Sequence, residues 1–208
     1  MYRLLGRQTS GNVQKVIFML EQSGMAYTRE DFGRQFENTT TPAYKAMNPT
    51  SKVPTLVDGD VVIWESNTIL RYLAAKGGDV LTGATPAQKA EVDRWMDFLL
   101  AAVNPGYLAA FKGAKLAPED QAPDYAAQTR DLIAQLAIFD GHLKGRDFLA
   151  LGRLTIADIA CAPILKRCAD FKIGRPSMPD LERWLGTVTA LDAFKAAAGT
   201  GPARMQAA

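Results

Sequence analysis

The apolar positions of this chain change period partway along it, and the change divides it into two kinds of structure. Residues 2–5 (Tyr-Arg-Leu-Leu) read as a short strand, and from Val13 the apolar positions Val13, Val16, Ile17 and Leu20 recur at helical spacing. Between them Gly6-Arg7-Gln8-Thr9-Ser10-Gly11-Asn12 is a turn-rich loop, in which Ser10 or Asn12 is a natural N-cap. A second strand is expected from Ala26 to Phe32, ending at Gly33. Strand, helix, strand implies a right-handed crossover and a parallel pair. Pro42 to Met47 suits a short irregular helix, because Pro is tolerated at a first helical position. Thr55-Leu56 and Val61-Val62-Ile63 flank Asp58-Gly59-Asp60, a hairpin signal. A helix opens at Glu65-Ser66-Asn67, carries Ile69, Leu70 and Leu73 on one face, and ends at Gly77-Gly78.

After a Gly/Thr/Pro-containing connection, residues 79–86, the period is helical throughout. Val92, Trp95, Met96, Leu99, Leu100 and Val103 trace one face of a long helix, which Asn104-Pro105-Gly106 is expected to kink or break. Leu132, Leu136, Phe139 and Leu143 mark another. Thr155-Ile156-Ala157-Asp158 is a capping-box pattern opening a core helix, with Pro163 expected to kink it. Leu181, Trp184, Leu185 and Val188, then Leu191 and Phe194, give two shorter helices, and the tail from Gly199 reads as loose. The expected organisation is an α/β domain over 1–78, a linker over 79–86 and an all-helical domain over 87–208.

Composition narrows the function classes. A 48% apolar chain of 208 residues has the balance of a globular protein with a real core. There is no apolar run long enough for a membrane span and no signal-peptide pattern at Met1–Gly6. The net charge of +2 gives no footprint for nucleic acid or an anionic membrane. Cys161 and Cys168 lie seven apart in a helical stretch, about 10 Å, too far for a disulfide. Two reduced thiols and no export signal point to the cytoplasm. His142, the single histidine, has no partner spacing for a metal and reads as a surface or capping residue; Trp64, Trp95 and Trp184 are expected in the core.

The candidate chemistry sits in Asn48-Pro49-Thr50-Ser51-Lys52-Val53-Pro54-Thr55-Leu56 and Trp64-Glu65-Ser66. Pro54 stands at a strand start, where a missing N–H is harmless, and X-Pro bonds adopt the cis form at modest cost. A cis Val53-Pro54 would leave the Val53 N–H and C=O to grip a ligand's peptide backbone. Ser66 and the first free N–H groups of the following helix suit a carboxylate, and Glu65 suits an ammonium group. Glutathione carries all of these groups. Each element alone is more often a plain turn or cap; together, at this spacing, they favour a ligand site.

These segments, with Gly6 to Val16 and Leu154 to Ala160, make the whole chain resemble the cytosolic glutathione transferases, most closely bacterial members related to the theta class. The resemblance implies a thioredoxin-like first domain (βαβ, then ββα), an all-helical bundle domain and a homodimer. It implies that Ser10, or its rival Asn12, hydrogen-bonds the glutathione sulfur. Val53, before Pro54, would pair with the cysteinyl backbone, Lys52 with the glycyl carboxylate, and Glu65 and Ser66 with the γ-glutamyl end. A small hydrophobic electrophile would bind between the domains, where Tyr107 and Phe111 either line the pocket or serve as ordinary core aromatics. The implied activity is attack of the glutathione thiolate on that electrophile, with glutathione as co-substrate and no metal. A glutathione-dependent peroxidase or disulfide reductase, or a non-catalytic interaction module, is the alternative. Residues 1–78 hold no cysteine, so the mixed-disulfide members of the family are not matched.

Overall fold

The computed structural model describes residues 1–201; residues 202–208, within the tail expected to be loose, lie outside the described residues. The chain forms two compact units, Met1–Leu81 with the segment from Thr189 onward, and Thr82–Val188.

In the first unit, β1 (Tyr2–Leu5), α1 (Gly11–Gln22), β2 (Tyr27–Glu30), α2 (Pro42–Met47), β3 (Thr55–Asp58), β4 (Val61–Trp64) and α3 (Ser66–Lys76) follow in the expected order. The sheet runs β2-β1-β3-β4. β1 and β2 are parallel in register Tyr2↔Tyr27, whereas β1–β3 and β3–β4 are antiparallel. Asp58 pairs with Val61 across Gly59, whose φ of +59° suits a residue without a Cβ. Leu4, Leu56, Val16, Leu20, Ile69, Leu70 and Leu73 are fully buried and tie sheet to helices. Thr41 caps α2 by accepting the Tyr44 N–H. α9 (Asp192–Ala198), within the range expected for the helical domain, packs on α1: Phe18 and Phe194 meet edge to face at 5.6 Å, and the Gln8 side chain donates to the Ala196 carbonyl at 2.9 Å. Trp64 is not a core residue; it is 37% exposed, because β4 is an edge strand with Val61 and Val62 also facing outward.

The second unit is helical: α4 (Pro86–Phe98), α5 (Asn104–Gly113), α6 (Tyr125–Leu143), α7 (Ile156–Asp170) and α8 (Pro179–Thr189). Thr85 and Gln88 form a capping box at the start of α4. At Asn104-Pro105-Gly106, where a kink or break is expected, the chain stays helical but leaves the α-helical spacing just before the proline. A π turn, Leu99–Val103, carries α4 into α5, and Pro105 falls in the first turn of α5, where its missing N–H costs little. Gly106 lets α5 approach α6 closely: a Cβ there would lie 2.7 Å from Leu132 Cβ. α7 likewise runs through Pro163.

Its start is the polar centre of this unit. Asp158 accepts from the Leu149 and Thr155 N–H groups at 2.9 Å, from the Thr155 hydroxyl at 3.0 Å and from Trp184 Nε1 at 3.0 Å. Burial pushes its carboxyl up, and these four donors pull it back. His142 is half-buried; its Nε2 lies 2.8 Å from the Leu149 carbonyl and its ring 4.2 Å from that of Trp95. No helix among the described residues is long and apolar enough to cross a membrane.

Candidate functional site

Three loops of the first unit carry the residues singled out above. The first runs from β1 to α1. Gly6 has no room for a side chain, since a Cβ would sit 2.5 Å from Val13 Cγ2 and 3.3 Å from Val53 Cβ. The Arg7 N–H donates to the Phe32 carbonyl and the Arg7 carbonyl accepts the Ser10 N–H, both at 3.1 Å, so the loop is pinned at both ends. Ser10 is the N-cap residue of α1 by backbone conformation, and its carbonyl accepts the Gln14 N–H at 2.9 Å. Its hydroxyl makes no capping hydrogen bond. The plain-cap account of Ser10 therefore fails at the side chain. Asn12 is exposed, one position into the helix.

The second loop leads from α2 into β3. Its geometry is set by a buried network that sequence reasoning missed. Tyr44 Oη donates to the Lys52 carbonyl at 2.7 Å, and Asn48 Nδ2 donates to the same carbonyl at 2.9 Å. Both also meet Thr55 Oγ1, at 2.9 and 3.0 Å. Burial pushes the Tyr44 phenol up, which keeps its donor proton in place. The Lys52 carbonyl is thus held one residue before Val53, and the Val53–Pro54 bond is cis, as the sequence suggested. The signal available in the sequence was weak: Asn after a short helix is common, and Tyr44 reads as core.

The third loop turns from β4 into α3. Glu65 has φ +68° and ψ 114°, a conformation rarely taken by side-chain-bearing residues, and its carbonyl accepts the Ile69 N–H at 2.9 Å. Glu65 is exposed and Ser66 is buried. The Ser66 hydroxyl donates to Asn12 Oδ1 at 3.4 Å, which joins the third loop to the first. A cavity of about 300 Å³ gathers the rest, lined among others by Arg7, Ser10, Asn12, Arg34, Lys52 and Val53. Arg7 and Arg34 escaped the sequence reading, because they sit in separate loops that only the fold brings together.

Tyr107 and Phe111 belong to α5 of the second unit. Tyr107 is buried, with ring centroids 6.0 Å from Phe111 and 6.1 Å from Phe171, and Phe111 is 38% exposed. Neither lines the 430 Å³ cavity that this unit holds beside Pro105, Lys112 and Tyr125. No group of three or more His, Cys, Asp or Glu among the described residues is arranged to hold a metal.

Comparison with known proteins bears directly on this arrangement. Residues 9–76 match the model of the glutathione S-transferase N-terminal domain and residues 94–192 that of the C-terminal domain. Glutathione S-transferase GstB of Escherichia coli K12 is 31% identical over 194 residues, 91% of this chain and 93% of that protein. The theta class glutathione S-transferase of Xanthomonas axonopodis pv. citri, solved with glutathione bound, superposes with a TM-score of 0.88 at 34% identity, covering 95% of this chain and 96% of that one. Elongation factor 1-gamma of Trypanosoma cruzi is 33% identical over 139 residues, 64% of this chain and 31% of that protein. A parallel–antiparallel sheet holding the three loops, followed by helices, with both parts matched in this way, places the chain in the glutathione S-transferase family.

Proposed function

We propose that the protein is a glutathione transferase that binds glutathione as thiolate and directs it at a small hydrophobic electrophile. One observation carries the reading: the Ser10 hydroxyl is not engaged in capping, and it shares a cavity with Asn12, Lys52 and Val53. In this reading Val53 pairs with the cysteinyl backbone, Lys52 meets the glycyl carboxylate, Glu65 the γ-glutamyl ammonium, and Ser66 with the start of α3 its carboxylate. Ser10 or Asn12 donates to the sulfur. In the ligand-free protein the Ser66 hydroxyl donates to Asn12 Oδ1 at 3.4 Å, and in this reading its one proton turns to the γ-glutamyl carboxylate on binding.

The energetics suffice without a general base. A free thiol ionises at about 8.5, and lowering this by two units takes about 2.7 kcal/mol. A hydrogen bond to the thiolate contributes about 1.5–3 kcal/mol, and the α1 N-terminus about 0.3–1 kcal/mol more. The thiol proton leaves to solvent, the C–S bond forms, and the electrophile's leaving group departs with its electron pair. Tyr107 and Phe111 are proposed for the apolar wall of the electrophile pocket. We further propose that the protein works as a homodimer in the cytoplasm, in a detoxifying conjugation.

Likeness to elongation factor 1-gamma favours one second reading, a non-catalytic module on the same fold. The ultraviolet difference spectrum of bound glutathione against pH separates the two. Thiolate absorbance well below pH 8, lost in either Ser10→Ala or Asn12→Ala, supports the transferase and identifies the donor. Bound glutathione that titrates as it does in water sinks the activation reading. Turnover of an aryl halide, set against a hydroperoxide and a mixed disulfide, distinguishes conjugation from peroxidase or reductase chemistry.

A further inference from the structure

We infer that Tyr44 is a positioning residue of the glutathione site and serves two of its loops with two parts of one side chain. The hydroxyl fixes the Lys52–Val53 segment, and the ring, through Phe32, fixes the loop that carries Ser10. This rests on the transferase reading above and adds to it a buried residue, 1% exposed, that has no assigned contact with glutathione.

The hydroxyl belongs to a network in which every proton has one place. Asn48 Nδ2 has two N–H groups, one for the Lys52 carbonyl at 2.9 Å and one for Thr55 Oγ1 at 3.0 Å. Thr55 gives its own proton to Tyr44 Oη at 2.9 Å, which leaves the Tyr44 proton for the Lys52 carbonyl at 2.7 Å. Asn48 Oδ1 accepts from the Thr50 N–H at 3.0 Å and from the Thr50 hydroxyl at 2.7 Å. Thr50 Oγ1 in turn accepts the Lys52 N–H at 3.3 Å. The Lys52 backbone is therefore held at its N–H and, twice over, at its carbonyl, and the residue it delivers is Val53. Tyr44, Asn48 and Thr55 are all buried, so removing one hydroxyl leaves partners unpaired where water does not replace them.

The ring lies on that of Phe32, with centroids 5.2 Å and planes 27° apart. The Phe32 carbonyl accepts the Arg7 N–H, and the Arg7 carbonyl accepts the Ser10 N–H, both at 3.1 Å. Gly33 follows at φ +85° and leaves space for the Arg7 side chain, since a Cβ there would lie 2.8 Å from Nη1. Asn38 donates to the Asp31 carbonyl and accepts the Gly33 N–H, both at 3.0 Å, which makes residues 31–33 one piece. Where the Phe32 ring goes, its carbonyl follows, and Arg7 and Ser10 with it.

The test separates the two parts in the full-length protein. Calorimetry gives the affinity for glutathione, turnover of an aryl halide at saturating glutathione gives kcat, and ultraviolet difference spectra give the ionisation of the bound thiol. Tyr44→Phe keeps the ring and removes the hydroxyl. Glutathione should bind about 3- to 10-fold more weakly, while kcat stays within about twofold and the bound thiol ionises as in the wild type. Thr55→Val removes the donor to Tyr44 Oη and should show the same pattern. Phe32→Leu keeps the hydroxyl network and removes the stack. Here affinity should stay within about twofold, kcat should fall about 3- to 10-fold, and the bound thiol should ionise at higher pH. Phe32→Tyr, which keeps the ring, should have the wild-type kcat.

Unchanged affinity in Tyr44→Phe and Thr55→Val overturns the inference and leaves the transferase standing, as does a Phe32→Leu variant with wild-type kcat. Affinity and kcat falling by one common factor in all three variants also overturn it, because lower stability alone would do that. A wild type that binds glutathione without turnover, and loses affinity in Tyr44→Phe, supports the positioning role and defeats the transferase reading instead. A wild type that binds no glutathione overturns both.

Discussion

Ser10 occupies a capping position without capping, and this has a measurable consequence. Replacing an N-cap Ser by Ala ordinarily costs about 1 kcal/mol. Here the side chain makes no bond to the helix, so Ser10→Ala should change stability by less than ~0.5 kcal/mol in denaturant unfolding. If Ser10 is the sulfur donor, the same variant loses a thiolate hydrogen bond and kcat/KM falls by roughly 10- to 150-fold. A large stability loss would show that the hydroxyl is structural after all. Glu65 presents the opposite trade. Its φ of +68° suits glycine, so Glu65→Gly should match or exceed the wild type in stability, by up to about 1 kcal/mol. Calorimetry should nonetheless show glutathione binding at least ~10-fold weaker if Glu65 is, as proposed, the partner for the ammonium. A variant both less stable and fully competent to bind would refute this account. At this scale the sequence was legible where residues are neighbours, as in the cis Val53-Pro54 bond and the helix start at Glu65-Ser66. It was silent on Arg7, Gly33, Arg34 and the Tyr44–Asn48–Thr55 network, whose members meet only across loops.

Whole elements were easier to read than the joints between them. The Thr155–Asp158 pattern announced the start of α7, and the structure adds what the pattern could not: Asp158 also takes the Leu149 N–H and the Trp184 indole. Asp158→Ala strands several buried donors, each worth about 1–3 kcal/mol, so a loss of at least ~3 kcal/mol is expected. Against a total stability of 5–15 kcal/mol for typical proteins, that change should register as a shifted urea midpoint or as failure to fold. Asp158→Asn keeps an acceptor oxygen and should fall between. On the same helix, burial pushes the Cys168 thiol up to about 12, leaving almost no thiolate at neutral pH. Ellman's reagent at pH 8 should therefore leave Cys168 unmodified in the native protein and modify it only on unfolding, so transferase assays with alkylating substrates should not label it. The joint at Pro105 was legible as an irregularity but not as the kind it is. A proline signals that the ladder of carbonyls before it is disturbed, and here the disturbance takes the form of a π turn at Leu99–Val103.

For the molecule as a whole, sequence order hides one packing relation. α9 is among the last described elements, yet it belongs to the unit that begins at Met1. Periodicity identified Leu191 and Phe194 as helical but gave no hint of their partner, because a seven-residue helix can bury its face against anything. Its contacts fall on the loop that carries Ser10 and on α1, the helix that loop introduces. Phe194 meets Phe18, and the Ala196 carbonyl receives the Gln8 side chain, two residues before Ser10. Phe194→Ala should cost about 3–5 kcal/mol, as buried Phe truncations do, if the site does not collapse around the hole. Gln8→Ala removes a single, partly buried hydrogen bond worth about 1 kcal/mol and leaves every proposed glutathione contact in place. If α9 holds the loop in its working position, Gln8→Ala should lower kcat on an aryl halide several-fold while the KM for glutathione stays within about twofold, because the sulfur donor loosens and the peptide clamp does not. Equal changes in both constants would mean that the tether supports binding in general, and no change in either would make α9 a stability element alone.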